Sequence, residues 1–279
     1  MSDPRVSVIV PAHDEESTVP GLLSKLDDPC FEVVVVCNGC TDGTAQAARR
    51  VAPWAKVVEI PEASKRAALI VGDRLATGSI RFYLDADVMT DAVALHALTS
   101  RLDQGLCAVA PQVRYDTSRS SWLVRRYYRV LPLLPAVATS VAGTGCIGMS
   151  AAGRARFDEW PDVLADDYFA DGLFSPLEKE RSSAARVTVV AARSVADLVL
   201  RRVRVVWGNQ DVDSRGLRRH PVTRSGGLLS VLRRHPLRLF DVVVFGAVAV
   251  RVRLLVWRRR RRGEGVPWGR DRSRERVVS

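Results

Sequence analysis

The sequence predicts an α/β protein: a parallel sheet with helices on both faces over the N-terminal part, extended by a mainly helical, basic C-terminal segment. Three observations predict it. Four short apolar runs alternate with helical patterns over the first 110 residues. The runs are predominantly apolar and lack regular alternation with polar residues, as strands buried on both faces do. The charge balance also inverts near residue 200, with 21 basic against 25 acidic side chains before it and 21 against 6 from residue 201 onward.

In order, the first run is Val6–Val10, followed by a polar turn and an amphipathic stretch, Ser17–Leu26. Next come the strand Glu32–Cys37, a glycine-containing turn and an alanine-rich helix, Thr44–Val51. A strand Ala55–Ile60, a helix Lys65–Ala76 and a fourth strand Ile80–Leu84 complete the alternation. Beyond Leu106–Pro111 the regularity fades into an aromatic and basic stretch (Trp122–Arg129), an apolar linker with Pro132 and Pro135, and the small-residue segment Val141–Met149.

With 279 residues, 47% of them hydrophobic, the chain can bury one substantial core, and global disorder is excluded. Five scattered cysteines, an odd number, suit a reducing compartment better than a disulfide framework. Cys37 and Cys40 form a C-x-x-C that lacks a second metal-ligating pair, and packing beside a turn is its default role. The first apolar run is too short for a secretory leader, so a cytoplasmic protein is expected.

In open α/β sheets ligands bind at the carboxyl ends of the strands, so the polar residues there carry the functional reading. The first strand ends in Pro11-Ala12-His13-Asp14-Glu15-Glu16, which by itself reads equally as a turn with acids at a helix start. The second ends in Cys37-Asn38-Gly39-Cys40-Thr41-Asp42-Gly43-Thr44, where Thr41 or Asp42 can cap the next helix and where a nucleobase could also be read. The fourth ends in Asp85-Ala86-Asp87. On an extended backbone these two carboxylates point the same way, which is costly unless a cation lies between them. Asp166-Asp167, among apolar neighbours, is either a helix cap or an acid pair in which one member's pKa is raised toward that of a general base.

Taken in order, P-A-H-D-E-E, N-G-C-T-D-G-T, Lys65, D-A-D and A-D-D-Y-F resemble the inverting family-two glycosyltransferases of the Rossmann-like GT-A fold, over roughly residues 6–208. That resemblance implies a catalytic domain over residues 1–200, with a nucleotide-binding half at 1–110 and an acceptor half at 111–200, followed by an extension over 201–279. It implies that Pro11, Ala12 and Glu15 line the nucleoside pocket, that Asn38 reads the base, that Lys65 approaches the diphosphate and that Asp85 faces the ribose. Asp87 would hold Mg²⁺ or Mn²⁺ on the diphosphate, Asp167 would be the base and Asp166 would orient it. The partners it implies are a nucleotide-sugar donor, with a UDP-sugar as first assignment, and a hydroxyl acceptor.

The chain departs from the family pattern at three places. Asn38 stands where an acid is common, Arg66 follows Lys65 where glycine is common and adds a charge toward phosphate, and no Q-x-x-R-W motif of the processive members is present. The last departure argues for transfer of a single sugar. Gly143–Gly148 resembles the loop that admits the acceptor. The Arg-rich segment around Arg204 is either a clamp on the diphosphate or a solvated helix face. A nucleotidyltransferase would instead carry a glycine- and Arg/Lys-rich loop after the first strand, and a non-catalytic nucleotide-sugar-binding module would not need Asp167.

Charged residues interrupt the C-terminal apolar stretch Leu228–Trp257, which is therefore expected to lie at a membrane interface or to pack on the domain, not to span a bilayer. With the Arg258–Arg262 cluster it could hold the enzyme, and a lipid-linked acceptor, at an anionic inner membrane face. Nucleic acid is not expected, because no nucleic-acid recognition motif accompanies the basic residues.

Overall fold

A computed structural model describes residues 5–220 and 227–265, so the Trp-containing tail at 268–274 lies outside the described residues. In chain order the first elements are β1 (Val6–Ala12), α1 (Val19–Leu23), β2 (Phe31–Asn38), α2 (Thr44–Val51), β3 (Lys56–Ile60), α3 (Lys65–Leu75), β4 (Ile80–Leu84), α4 (Ala92–Asp103) and β5 (Ala108–Asp116). They are followed by α5 (Trp122–Val130), α6 (Pro135–Ala138), β6 (Cys146–Met149), α7 (Ala151–Arg154), α8 (Asp166–Asp171), β7 (Lys179–Val190), α9 (Val195–Ser214), α10 (Gly227–Arg234) and α11 (Leu239–Arg261).

The four apolar runs pair in parallel as expected: β1 lies between β2 and β4, and β3 lies outside β2. In β2, Val33, Val35 and Cys37 enter the main core on one face while Val34 and Val36 pack with Ala68 of α3 on the other. Burial on both faces explains why the run has no polar alternation. The whole sheet is mixed, in the order β3-β2-β1-β4-β6-β5-β7, because β6 enters antiparallel beside β4. Neither β6 nor β7 is evident from the sequence pattern. Gly148 of β6 lies so close to β4 that a Cβ would stand 2.4 Å from the Phe82 ring, which excludes larger residues there.

Helix α1 is shorter than the pattern suggests. The residues before it are engaged with the loop after β2: Glu15 N–H donates to Thr44 Oγ1 at 2.8 Å and Glu16 N–H to Asp42 Oδ2 at 3.2 Å. Gly43, at the N-cap position of α2, has no side chain to offer, and Asp42 Oδ1 accepts from the first helical amide, Thr44 N–H, at 3.0 Å, while Thr41 N–H donates to Asp14.

The chain divides into two compact units, Met1–Arg114 with Ser140–Thr188, and Tyr115–Thr139 with Val189–Ser279. Residue 200, the expected boundary, falls within α9. The first unit holds the sheet core and the second a helical core. In the second, Phe245, Val248, Val252 and Val256 of α11 are buried with Tyr127, Val124 and Val203. Tyr127 and Phe245 stack at 4.5 Å, and the buried Asp241 pairs with Arg126 at 3.1 Å. The C-terminal region is thus helical, as expected.

Candidate active site

Parallel pairing brings the ends of β1, β2 and β4 to one edge of the sheet, and the polar residues that follow each strand gather there. Past Leu84 the backbone does not continue extended, as the D-A-D reading assumed. It closes a turn in which Val88 N–H donates to the Asp85 carbonyl at 3.1 Å, with Asp85 and Asp87 both half-buried. The loop before β6 packs on this turn: Asp85 N–H donates to the Gly145 carbonyl at 2.8 Å. Gly145 has φ +66°, and a Cβ there would lie 2.4 Å from Val88 and 3.1 Å from Asp85 Oδ2. Both the turn and the close approach require glycine.

Lys65 is the first residue of α3, whose cap Ser64 accepts a hydrogen bond from Ala67 N–H. Its Nζ lies 2.8 Å from Asp85 Oδ1 and 3.0 Å from Asp166 Oδ2. Burial alone would lower the lysine pKa, but Asp166 and Asp85 outweigh it and hold the pKa above the ordinary value, so the ammonium is permanently charged. Asp166 and Asp167 form the first turn of α8, after Ala165 at the N-cap position. Asp167 accepts from Gly143 N–H at 2.7 Å through Oδ2 and from Tyr168 N–H at 2.7 Å through Oδ1. Burial, and then repulsion from Asp166, raise its pKa to about 6, against the opposing pull of Lys65 and the Gly143 bond.

Pro11, Lys65, Asp85, Asp166 and Asp167 line one cleft together with Tyr83, Gly145, Cys146 and Trp160. Ala12, Glu15, Asn38 and Asp87 are not among its lining residues. Ala12 is buried at the end of β1, and the Glu15 carboxylate accepts from the Thr18 hydroxyl. Asn38, expected to read a base, is buried. Its amide, oriented by its partners, donates to the Ala12 carbonyl at 2.9 Å and accepts from Ser64 N–H at 3.3 Å, so it holds β1 and the start of α3 together. The Arg66 guanidinium does not turn toward a phosphate position. It donates to the Trp160 carbonyl at 2.7 Å and faces Glu159. Arg204 lies half-buried on α9 in the second unit.

The floor of the cleft depends on a residue that the sequence reading did not single out. Asp73 of α3 is buried and accepts from Tyr83 Oη (2.8 Å), Trp160 Nε1 (2.9 Å), Arg81 (2.7 Å) and Arg154 (3.1 Å). Tyr83 and Trp160 meet edge to face with centroids 4.8 Å apart. A signal was available, because Asp73 follows the core residue Leu69 by four positions and so lies on the buried face of α3.

As a fit to a divalent cation, the cleft carries three carboxylates, Asp85, Asp166 and Asp167, against one ammonium, with Asp87 on the adjoining turn. Such an excess of hard oxygen donors suits Mg²⁺ or Mn²⁺. A second group, His13, Asp14 and Cys40, brings ligand-type atoms within 4.8 Å of one another. Each is engaged within the protein, with the Asn38 carbonyl, Thr41 and the Ala12 carbonyl respectively.

The profile described as glycosyl transferase family 2 matches residues 7–159. Among curated proteins, the chain is 29% identical over 128 residues to an undecaprenyl-phosphate 4-deoxy-4-formamido-L-arabinose transferase of Pseudomonas aeruginosa, covering 42% of this chain and 38% of that protein. A protein of the same description from Pseudomonas savastanoi is 27% identical over the same length and coverage. The chain therefore spans about two fifths of the length of the curated relatives it matches. Among solved structures, a mannosyltransferase from Pyrobaculum calidifontis in complex with GDP-Man and Mn²⁺ superposes with TM-score 0.62 at 21% identity, covering 91% of this chain and 76% of that one. A glucosyl-3-phosphoglycerate synthase from Mycobacterium tuberculosis, in complex with Mn²⁺, UDP-Glc and phosphoglyceric acid, gives 0.54 at 20% identity, covering 79% and 81%. The shared fold is GT-A.

Proposed function

The chain belongs to glycosyl transferase family 2, and from that premise we propose that it moves one sugar from a nucleoside-diphosphate sugar to an acceptor hydroxyl with inversion at the anomeric carbon. One observation carries the reading: a carboxylate with a raised pKa, Asp167, shares a cleft with the Lys65–Asp85–Asp166 cluster.

In this reading Asp167 takes the proton from the acceptor hydroxyl. A carboxylate with pKa near 6 accepts a proton more readily than an ordinary aspartate and is still largely ionised near neutrality. Backbone N–H groups on each of its oxygens fix its orientation, and burial, with repulsion from Asp166 second, keeps its pKa high. Lys65 stays cationic and takes the diphosphate side, with Asp85 beside it for the ribose. Pro11 bounds the nucleoside side, with Ala12 buried next to it at the end of β1 and Glu15 on the turn that follows. Asp87 would hold Mg²⁺ or Mn²⁺, which when bound offsets the charge on the leaving nucleoside diphosphate. Asn38 supports the base position through Ala12 and Ser64.

We read the donor as a UDP-sugar. We read the acceptor as a lipid-linked hydroxyl, its lipid character supported by the undecaprenyl-phosphate in the relatives' description, and the enzyme as peripheral at the cytoplasmic membrane face. The test is thermal stabilisation of the purified chain by UDP, GDP, dTDP and CDP, each with and without Mn²⁺, beside Asp87→Asn. One diphosphate should raise Tm in a Mn²⁺-dependent way that Asp87→Asn abolishes. Absence of any response at millimolar concentration would remove the donor site.

A further inference from the structure

Helix α11 is apolar on two faces, and only one is used inside its unit. The inner face, including Val244, Phe245, Val248, Val252 and Val256, is at most 8% exposed. On the opposite face Phe240, Val243, Val250, Leu254 and Trp257 are 50–58% exposed. Phe240 and Leu254 stand fourteen residues apart with the small Ala247 midway, and Val243, Val250 and Trp257 recur every seven. This spacing keeps all of them on one stripe along the 23-residue helix. Trp122 of α5, 59% exposed, stacks on Phe240 at 5.7 Å and widens the stripe at its N-terminal end.

The arginines are arranged around this stripe. By helical spacing Arg251 and Arg253 flank it on opposite sides, and Arg258 and Arg261 continue it beyond Trp257; all four are exposed. Arg261 lies over the Trp257 ring at 4.0 Å, at the junction of apolar and basic parts. No helix among the described residues is long and apolar enough to cross a membrane.

We infer that this outer face of α11 docks in the plane of an anionic lipid bilayer, with the apolar stripe among the acyl chains and the arginines on the headgroups. The inference rests on the membrane-peripheral reading above and gives it a surface. Charge complementarity selects the occupant. A second copy placing the same face against this one in parallel would oppose its arginines to their like, whereas phosphatidylglycerol headgroups neutralise them. The stripe carries aromatic rings, Trp122 with Phe240 and Trp257, of the kind that the apolar face of an interfacial helix buries among lipids.

The test is flotation of the full chain with vesicles of phosphatidylcholine alone and of phosphatidylcholine with phosphatidylglycerol. The comparison includes Val250→Asp with Leu254→Asp, and Arg258→Gln with Arg261→Gln. The wild type should partition into the anionic vesicles at least about tenfold better than into the neutral ones, and either double variant should reduce that partition by on the order of tenfold or more. Thermal melting of each variant controls for folding without any nucleotide, so a failed donor reading leaves this test intact. Equal partition of the wild type into both vesicles, or of the Asp double variant and wild type into the anionic ones, overturns the inference. So does a dimer that the Asp pair dissociates in the absence of vesicle binding, or salt-sensitive RNA binding that only the Gln pair removes.

Discussion

The backbone N–H of Gly143 donates to Oδ2 of Asp167 at 2.7 Å, tying the glycine-rich loop before β6 to the first turn of α8. The other oxygen takes the Tyr168 N–H at 2.7 Å, so each oxygen retains one acceptor position while the plane of the group is fixed. Asp167→Asn keeps the shape and removes the proton-accepting power. The expected result is a fall in kcat of about 10²–10⁴ with nucleotide-dependent thermal stabilisation unchanged, read from release of the nucleoside diphosphate. A variant with kcat close to wild type would remove Asp167 from the mechanism.

The pKa of Asp167, raised to about 6, sets the acid limb of the pH profile. Below that value the base is protonated and kcat/KM should fall about tenfold per pH unit. Lys65 opposes the rise, so Lys65→Met should move the limb to higher pH as well as weaken donor binding. Stability follows the same sign. A carboxyl whose folded pKa is raised contributes stability below its ordinary value of 3.8 and loses it as pH rises through the folded value. The Tm difference between Asp167→Asn, which leaves one of the two N–H groups without an acceptor, and the wild type should therefore shift in favour of the variant as pH rises through 6.

Glu32, at the far end of the sheet from the cleft, shows the reverse. Its burial would raise its pKa, but hydrogen bonds from Lys56, Ser7 and the Thr77 N–H hold it at about 2. Its stabilisation is present above the ordinary value of 4.5 and is lost as pH falls toward 2. Glu32→Gln should lower Tm at neutral pH and have progressively less effect in acid, measured by calorimetry across that range.

The parallel half of the fold was legible because β1, β2 and β4 are largely buried and its strands end in turn residues. Their ends at Ala12, Asn38 and Leu84 placed the candidates on one edge, and Lys65, Asp85, Asp166 and Asp167 meet there. Strand β6 was not legible, because Gly145 and Gly148 are needed for close packing on Val88 and Phe82 and depress the strand signal. A polar residue at a strand end also does not announce its partner. Asn38 and Arg66 sit where a ligand contact was expected and bond to protein backbone instead.

Gly145 is the residue through which that unforeseen strand acts on the site. Gly145→Ala would force a Cβ to 2.4 Å from Val88 at a φ of +66°, at a cost of about 1–3 kcal/mol. The nearest polar atom is Asp85 Oδ2 at 3.1 Å, so the Lys65–Asp85 pair should be displaced as well. The expected outcome is a lower Tm together with a raised KM for the donor. A loss of stability with KM unchanged would show that the Gly145–Asp85 contact does not govern donor binding.

Asp73 is the most exacting test of how the cleft floor is built. Arg81 and Arg154 are mostly buried and rely on its two oxygens, and the Trp160 and Tyr83 donors converge on the same carboxylate. Asp73→Ala leaves two guanidinium groups without that partner and should destabilise the fold by about 3–5 kcal/mol. Tyr83→Phe removes one neutral donor from a carboxylate that keeps its others, and should cost about 1 kcal/mol. Residues sharing one acceptor do not act independently, so Tyr83→Phe should cost nearly nothing once Asp73 is Ala. Urea midpoints with an unchanged m-value measure all three variants. Additive losses would mean that Tyr83 and Trp160 hold their places through ring packing, 4.8 Å between centroids, and not through the shared carboxylate.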